Sequence, residues 1–597
     1  VTTPPASRRP AAPEGGGRAQ ALRSHGRAAG TVAGLTLASR VLGFARWVVQ
    51  ATCVGAGTVA GAYSTANQVP NVLYEVVVGG ALAATVVPLL ASAVGAGRQE
   101  EVSRTASALL GVVLAVLAPL GLALALLADP VAGLLPTSQG VDPGLQRDLV
   151  ASFLRMFALQ VPLYGLGVVL TGVLQAHGRF TWPALTPIAS SLVVMAAYAA
   201  YARMTAPTGT APSSAALAVL GWGTTAGVAA LSLPLAWPVA RLGVRLRPSL
   251  RLDRPTAVRV LRLGGAGLTA LVAQQASVVT VLALARAGGT TGTVAVYQYT
   301  QAVYVLPYAV LAVPVATVVY PRLSAAFDRE ARQAREAHDP TAGPTQGAGD
   351  QSPAWALAAR STAVVGAVAV AGSAMLLAAG HGAERFFALL TDVEGMGASL
   401  AVLAPGLVGY ALVLQATRSL LAADRARAAA WASAAGWAAV IPASWLAVRL
   451  MAPDGGQGPA TLVALAAGQT TGMVVGGAAV LAALARAGGP GVLAPTCRVL
   501  ALSVPVAAVA GAAVRWLSTQ VPADGAAIVL GALGALAAAA AVLAAARLAD
   551  PTVVGALRRP GGRPGPNGPR RTRAGTEAGA DPRNEAEPRA RTQEEST

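Results

Sequence analysis

Two arginines carry the strongest chemical signal in this chain. Arg40 and Arg46 sit in LASRVLGFARWVVQ, well inside an apolar stretch that begins near residue 31. One arginine at the centre of a bilayer costs about 3 kcal/mol on insertion scales. Two so close together must therefore face protein or a wet cavity. A guanidinium presents a planar fork of donors that fits a phosphate with two parallel hydrogen bonds, so a buried pair reads as a site for an anion. Six residues on an ideal helix differ by about 9 Å in height and about 120° in azimuth. The pair flanks Gly43 and can touch one elongated anion at two heights, but cannot chelate it from one stripe. Glu75 is the acidic residue placed deep in the second apolar segment. On an alternative reading it neutralises one of the arginines and fixes helix packing, which leaves one cation over.

Other polar residues interrupt apolar segments and are candidates for the same cavity: Asn67, Gln68 and Asn71, then Gln274 and Gln275, then Tyr297, Gln298, Tyr299, Gln301 and Tyr304. Such side chains commonly bond neighbouring membrane helices. Asn71, Gln275 and Gln301 complete the expected site, with the two glutamines on helices opposite the first two. Enzyme chemistry finds no support. No nucleophile–base pair or metal-ligand cluster is visible, and the four histidines lie far apart. The chain has no lysine at all, so no phosphate-binding loop ending in lysine can form. Cys53 and Cys497 make no metal spacing. No cofactor is expected.

The elements that must hold these residues follow from composition. Of 597 residues, 54% are hydrophobic and 12% charged, half the charge of an ordinary soluble protein, with a mean hydropathy of +0.57. That excludes a soluble enzyme and predicts an all-α polytopic membrane protein. About fourteen segments are long enough to span: 31–55, 68–93, 106–128, 150–175, 182–202, 214–240, 258–285, 293–320, 355–379, 397–420, 428–448, 461–484, 495–516 and 524–546. Of the 44 arginines, 34 fall in the tails and in alternate loops and six in the loops between. The positive-inside rule then puts both termini in the cytoplasm. The net charge of +18 therefore reflects topology, and no nucleic-acid partner is expected, because the basic residues form no folded face.

The predicted organisation is a basic disordered tail (1–30), a six-helix lobe (31–240), a basic linker (241–257), a second six-helix lobe (258–484), two additional helices (485–550) and an Arg/Pro/Gly-rich tail (551–597). ATVVP at 84–88 and ATVVYP at 316–321 lie about 232 residues apart. Six helices per half make both halves enter the membrane in the same direction, related by a pseudo-two-fold axis along the membrane normal.

SRVLGFAR (39–46), GAG (55–57), PN (70–71), GGAL (79–82), VLQAHGRFTWPALTP (173–187) and LPYAVLAVPVATVVYPRLS (306–324) resemble, in order and spacing, the MurJ/MviN lipid II flippases. The resemblance covers roughly residues 31–550. It implies fourteen helices of the multidrug/oligosaccharidyl-lipid/polysaccharide exporter superfamily, and translocation of the undecaprenyl-pyrophosphate-linked peptidoglycan precursor to the outer leaflet of the cytoplasmic membrane by alternating access. Lipid II and membrane lipid are then the partners, with cell-wall synthesis proteins as candidates for the cytoplasmic tails. Arg40 and Arg46 match family arginines that line the central cavity. Other family positions differ. The usual acid after GAG is Gly61, the arginine after PN is Tyr74, the arginine early in the eighth helix is Ala302, and the glutamate of the common AEGA stretch is Gly79. The alternatives are an exporter of another polyprenyl-linked glycan and a transport-inactive cell-wall scaffold.

Overall fold

A computed structural model describes residues 16–76, 83–205, 212–251, 254–336 and 352–551. They form helices throughout, with no strand among them; an isolated bridge joins Gln139 to Thr290. The first half contains α1 (Gly16–Cys53), α2 (Thr58–Tyr74), α3 (Ala83–Gly95), α4 (Gln99–Leu126), the short α5 (Ala128–Leu134), α6 (Pro143–Phe157), α7 (Gln160–Ala176), α8 (Thr181–Thr205), α9 (Ser214–Ser232) and α10 (Ala236–Arg241). The second contains α11 (Arg254–Gly288), α12 (Thr293–Pro307), α13 (Val313–Glu336), α14 (Pro353–Ala388), α15 (Met396–Ala422), α16 (Ala426–Met451) and α17 (Gly458–Gly488). Helices α18 (Ala494–Thr519) and α19 (Asp524–Ala549) follow and pack on α14.

Twelve helices among the described residues are long and apolar enough to cross a membrane. They correspond to the third to fourteenth expected segments. The first two expected segments fold as α1 and as the α2–α3 path, and these carry the candidate polar residues. Two boundaries differ from expectation. Helix α1 starts at Gly16, inside the stretch expected as a disordered tail. Helix α2 starts at Thr58, ten residues before the expected second segment. Its first turns hold Tyr63, Ser64 and Thr65, which are buried against protein, so no apolar run marks them. The linker is also shorter than 241–257. Residues 242–251 run irregularly along α4, where the Arg247 amide donates to Ser107 Oγ (3.0 Å) and the Gln99 amide to the Leu242 carbonyl (2.7 Å), and α11 is already helical from Arg254. Residues 1–15 and 552–597 lie outside the described residues, and with them half of the expected N-terminal tail and nearly all of the C-terminal one.

The two halves pack in one order. In the first, α1 lies on α8, α4 on α7, and α7 and α8 on α9; in the second, α11 lies on α16, α14 on α15, and α15 and α16 on α17. The helix in second place breaks in both. After Pro70, α2 passes into a π turn at Glu75–Val76, and after Pro307, α12 passes into a π turn at Tyr308–Ala312. Proline removes one N–H from the ladder, and a π turn is a way of absorbing the mismatch. The first lobe has a large-side-chain core around Phe153, Phe157, Leu117 and Leu170. The second is drawn tight by glycines. A Cβ on Gly409 would stand 2.1 Å from the Met473 carbonyl oxygen, and one on Gly436 would stand 2.6 Å from the Gly476 Cα. This is the small-residue packing by which membrane helices approach closely without a hydrophobic driving force.

Candidate functional site

Helix α1 presents Arg40, Gly43, Phe44 and Trp47 to a cavity of about 490 Å³ between the lobes. Their i, i+3, i+4, i+7 spacing is one stripe of a helix. Facing it, α11 contributes Ser277, Val278, Val281 and Leu282, and α12 contributes Tyr297, Gln298, Gln301, Ala302 and Val305. Gln68 of α2, Trp437 of α16 and Gln469 of α17 complete the polar and aromatic lining. Arg40 is the one charged residue among the lining side chains. Ala302, where the family resemblance places an arginine, also faces this cavity. One cation on a neutral, partly aromatic wall suits a ligand with one compact anionic part and a larger uncharged part.

Of the six expected site residues, the structure brings Arg40 and Gln301 to the cavity. Gln301 donates through Nε2 to Gln469 Oε1 (2.5 Å), and Tyr297 donates its hydroxyl to the same oxygen (2.9 Å). The other four lie outside the lining. Arg46 is rotated off the Arg40 stripe, as its six-residue spacing requires. Its guanidinium carbon lies 5.4 Å from the Trp47 ring centroid, and its buried Nε has no hydrogen-bond partner among the described residues. Asn71 donates to the Asn67 carbonyl one turn back (3.0 Å). Gln275 is buried, 7% exposed, and does not line the cavity, although it falls on the same stripe of α11 as Val278 and Leu282. Glu75 is part-buried at the α2 π turn. The ion pairs among the described residues are Arg98–Glu101, Arg155–Asp129 and Arg385–Asp524, so Glu75 neutralises neither Arg40 nor Arg46.

Three of the sequence departures fall at informative places. Tyr74 packs its ring on Tyr164 with centroids 5.0 Å apart, on the first lobe's own side of α2. Gly61 sits where the lobes touch. Ala302 leaves the α12 wall neutral. Gly79 lies outside the described residues. Gln469 was not foreseen, although a glutamine in the apolar run LVALAAGQTTGMVV is the same kind of signal that marked Gln275 and Gln301.

The lobes close on each other at one end of the cavity. Tyr299 donates its hydroxyl to the Gly55 carbonyl (2.6 Å), Thr58 donates to Thr291 Oγ1 (3.3 Å) and Gln139 donates to the Asp454 carbonyl (2.8 Å). A Cβ on Gly61 would lie 1.7 Å from the Thr291 carbonyl oxygen, and one on Gly292 would lie 1.6 Å from the Ala56 carbonyl oxygen. Only glycine permits such backbone approach. Arg286, 3% exposed at the end of α11, donates from Nε to the Pro136 carbonyl (2.5 Å) and from Nη1 to Thr65 Oγ1 (3.2 Å), tying the second lobe to the first. Helix α1 belongs to the first lobe through Gln50, whose Oε1 accepts from the Tyr198 hydroxyl (3.0 Å). Helix α3, which continues the chain away from the closed end, touches α11. A second, apolar cavity of about 380 Å³ lies among α14, α15, α17 and α18, lined by Val370, Leu377, Ala404, Gly477 and Val504.

Known proteins share both this sequence pattern and this fold. The family model described as "Lipid II flippase MurJ" matches residues 50–533. The chain is 28% identical over 242 residues to the probable lipid II flippase MurJ of Rhizobium meliloti (strain 1021), covering 39% of this chain and 43% of that one. It is 29% identical over 278 residues to the probable lipid II flippase MurJ of Rhizobium tropici, covering 45% and 49%. The chain spans about half the length of the curated relatives it matches. Among solved structures, a lipid II flippase MurJ in an inward closed conformation superposes with a TM-score of 0.62 at 16% identity, covering 85% of this chain and 97% of that one. An inward-facing multidrug resistance MATE family transporter of the MOP superfamily gives 0.56 at 13% identity, covering 75% and 94%. The structural likenesses carry the fold, and the family model covers most of the sequence with it: the chain belongs to the MurJ lipid II flippase family.

Proposed function

We propose that this chain moves lipid II from the inner to the outer leaflet of the cytoplasmic membrane by alternating access. The observation that carries this reading is the interlobe cavity, in which Arg40 is the single cation on an otherwise neutral wall and one end is shut by contacts between two similar lobes. The arginine distribution puts the closed end outside and both termini inside. The α3–α11 contact at the inner end must part to admit a headgroup from the cytoplasmic leaflet. Arg40 then meets the diphosphate, for which its fork of donors is suited. The polyprenyl chain stays in lipid, and the apolar cavity bounded by α14, α15, α17 and α18 is its natural resting place. The lobes then rock about the cavity, exchanging the outer closure for an inner one. Membrane potential, worth about 2.3 kcal/mol per charge per 100 mV, is a sufficient drive for a charged step.

Among the described residues no group of three or more His, Cys, Asp or Glu is placed to hold a metal ion. Export of another polyprenyl-linked glycan is the second reading, favoured by Ala302 on the cavity wall. Both are tested by expressing the chain in a bacterium depleted of its own lipid II flippase. Rescue by the wild type and loss of rescue with Arg40→Ala at matched membrane abundance support lipid II flipping. Failure of the wild type to rescue, with the chain present in the membrane, overturns it.

A further inference from the structure

Gln301 and Gln469 form a reciprocal amide pair across the cavity wall. Gln301 Nε2 donates to Gln469 Oε1 (2.5 Å), and Gln469 Nε2 donates back to Gln301 Oε1 (3.4 Å). Tyr297 donates its hydroxyl to Gln469 Oε1 (2.9 Å). A side-chain amide has two N–H donors and one oxygen with two lone pairs. The Gln469 oxygen is therefore fully engaged, while each amide nitrogen keeps one N–H. Both residues line the cavity, so the pair offers it two neighbouring, uncharged donors. Uncharged donors in a partly apolar site select neutral acceptors, carbonyl and hydroxyl oxygens, because a neutral ligand group sheds water at much lower cost than an ion. The indoles of Trp47 and Trp437 line the same cavity and supply flat apolar surface beside polar groups. Together these fit an acylamino sugar, which has hydroxyls, amide carbonyls and apolar C–H faces.

Depth orders the two kinds of contact. Counted in helical turns from the closed end, Gln301 lies about two turns into α12 and Gln469 about three turns into α17, whereas Arg40 lies about three and a half turns along α1. The cation is thus farther from the closed end than the amides. A lipid entering from the opposite end presents its headgroup in that order, with the diphosphate next to the lipid chain and the sugar beyond it. We infer that the Gln301–Gln469 pair is the subsite for the uncharged acylamino-sugar part of the headgroup, and that it discriminates a glycosylated polyprenyl diphosphate from the bare one. The inference rests on the proposed function and adds residues and a selectivity to it.

The test is binding of two lipids to the purified full-length chain, measured by native mass spectrometry. One is undecaprenyl diphosphate; the other carries the disaccharide–pentapeptide. The wild type is expected to prefer the glycosylated lipid. Loss of one or two hydrogen bonds predicts about tenfold weaker binding of that lipid by Gln301→Leu and Gln469→Leu, with the bare lipid unchanged. Gln469→Glu keeps the oxygen that accepts from Gln301 and Tyr297 but removes its N–H donors. It is expected to lose the preference, and because any effect of the added carboxylate on the diphosphate is common to both lipids, the ratio of the two affinities is the readout. Equal loss for both lipids, or a retained preference in Gln469→Glu, makes the pair mere helix glue and overturns the inference. Equal binding of both lipids by the wild type overturns it while leaving the flippase reading in place. Binding of neither lipid overturns both.

Discussion

Thr58 and Thr291, 233 residues apart in the chain, meet hydroxyl to hydroxyl at 3.3 Å across the lobe boundary. That separation is the period of the chain's internal likeness. The ATVV segments differ by about the same interval, and so do the π turns beginning at Glu75 and Tyr308. A residue that touches its own counterpart lies on the axis relating the two copies, as in a two-fold interface. The closure at this end is therefore built on the pseudo-symmetry axis.

The glycines flanking this pair set the first prediction. Gly61 and Gly292 each face a backbone carbonyl of the other lobe at a distance that forbids a Cβ. A carbonyl cannot swing aside as a long side chain can. Gly61→Val and Gly292→Val are expected to hold the lobes apart at this end. In a Cys53→Ser, Cys497→Ser background, a cysteine at Ser64, fully buried in the closed state, should gain at least tenfold in its rate of labelling by an impermeant maleimide. Gly57→Ala, whose Cβ meets nothing within 4 Å, should leave the rate unchanged. Unchanged labelling in both valine variants means the closure is not made by these contacts.

Arg286 sets the second. It is a buried cation held by a carbonyl and a hydroxyl of the opposite lobe, and the three ion pairs among the described residues do not include it. Hydrogen bonds from a charged group contribute about 1.5–3 kcal/mol each, enough to shift a two-state equilibrium by one to two orders of magnitude. Arg286→Met should move the population toward a state in which this end is open. Spin labels at Leu145 and Met451, both exposed near this closure, should report longer distances than in the wild type. Identical distance distributions would remove Arg286 from the closure.

The two arginines of α1 should separate in a third experiment. Arg40 faces the cavity, and Arg46 does not. Arg40→Ala is expected to weaken binding of undecaprenyl diphosphate about tenfold, the effect of losing a charge-assisted contact. Arg46→Leu should leave that affinity within about threefold. It should also raise the melting temperature by a few degrees, because a half-buried charged group whose buried Nε has no partner among the described residues is replaced by an apolar one. Equal loss of affinity in both variants would put Arg46 in the binding site.

Two of the six expected residues, Arg40 and Gln301, line the cavity, and helical arithmetic accounts for part of that. Arg40 and Arg46 are six residues apart, so one of them had to leave any single stripe, and the structure shows which. Gln301 was legible as an amide in an apolar segment, and its partner Gln469 carried the same signal within an Ala/Gly-rich run. The start of α2 was not legible, because Tyr63, Ser64 and Thr65 are buried by other helices and leave no apolar run to mark a span. The closure was not legible either. Gly61 and Gly292 are two of 67 glycines, and nothing local distinguishes a glycine that meets a distant backbone. The first turns of α1 resemble a tail because arginines at positions 18, 23 and 27 mask their helical continuity with the span.

The apolar cavity beside α18 supplies the last prediction. Its lining of Val370, Leu377, Ala404, Gly477 and Val504 offers hydrocarbon contact and almost no polar groups, so it can hold an alkyl or prenyl chain but cannot read a headgroup. Each buried methylene contributes about 0.8 kcal/mol. A lipid that inserts even three or four carbons there therefore gains more than tenfold in affinity over one too short to reach. Ala404→Phe fills part of the space from α15 without adding charge. It is expected to weaken binding of an undecaprenyl-linked lipid about tenfold, while leaving a short-chain analogue with the same headgroup unaffected. The Gln301→Leu variant should do the reverse, lowering affinity for both chain lengths by the same factor. Crossing the two substitutions then separates tail from head. Additive losses mean that the two cavities act independently. If Ala404→Phe weakens long and short substrates alike, the cavity serves helix packing, and the lipid chain rests elsewhere on the protein.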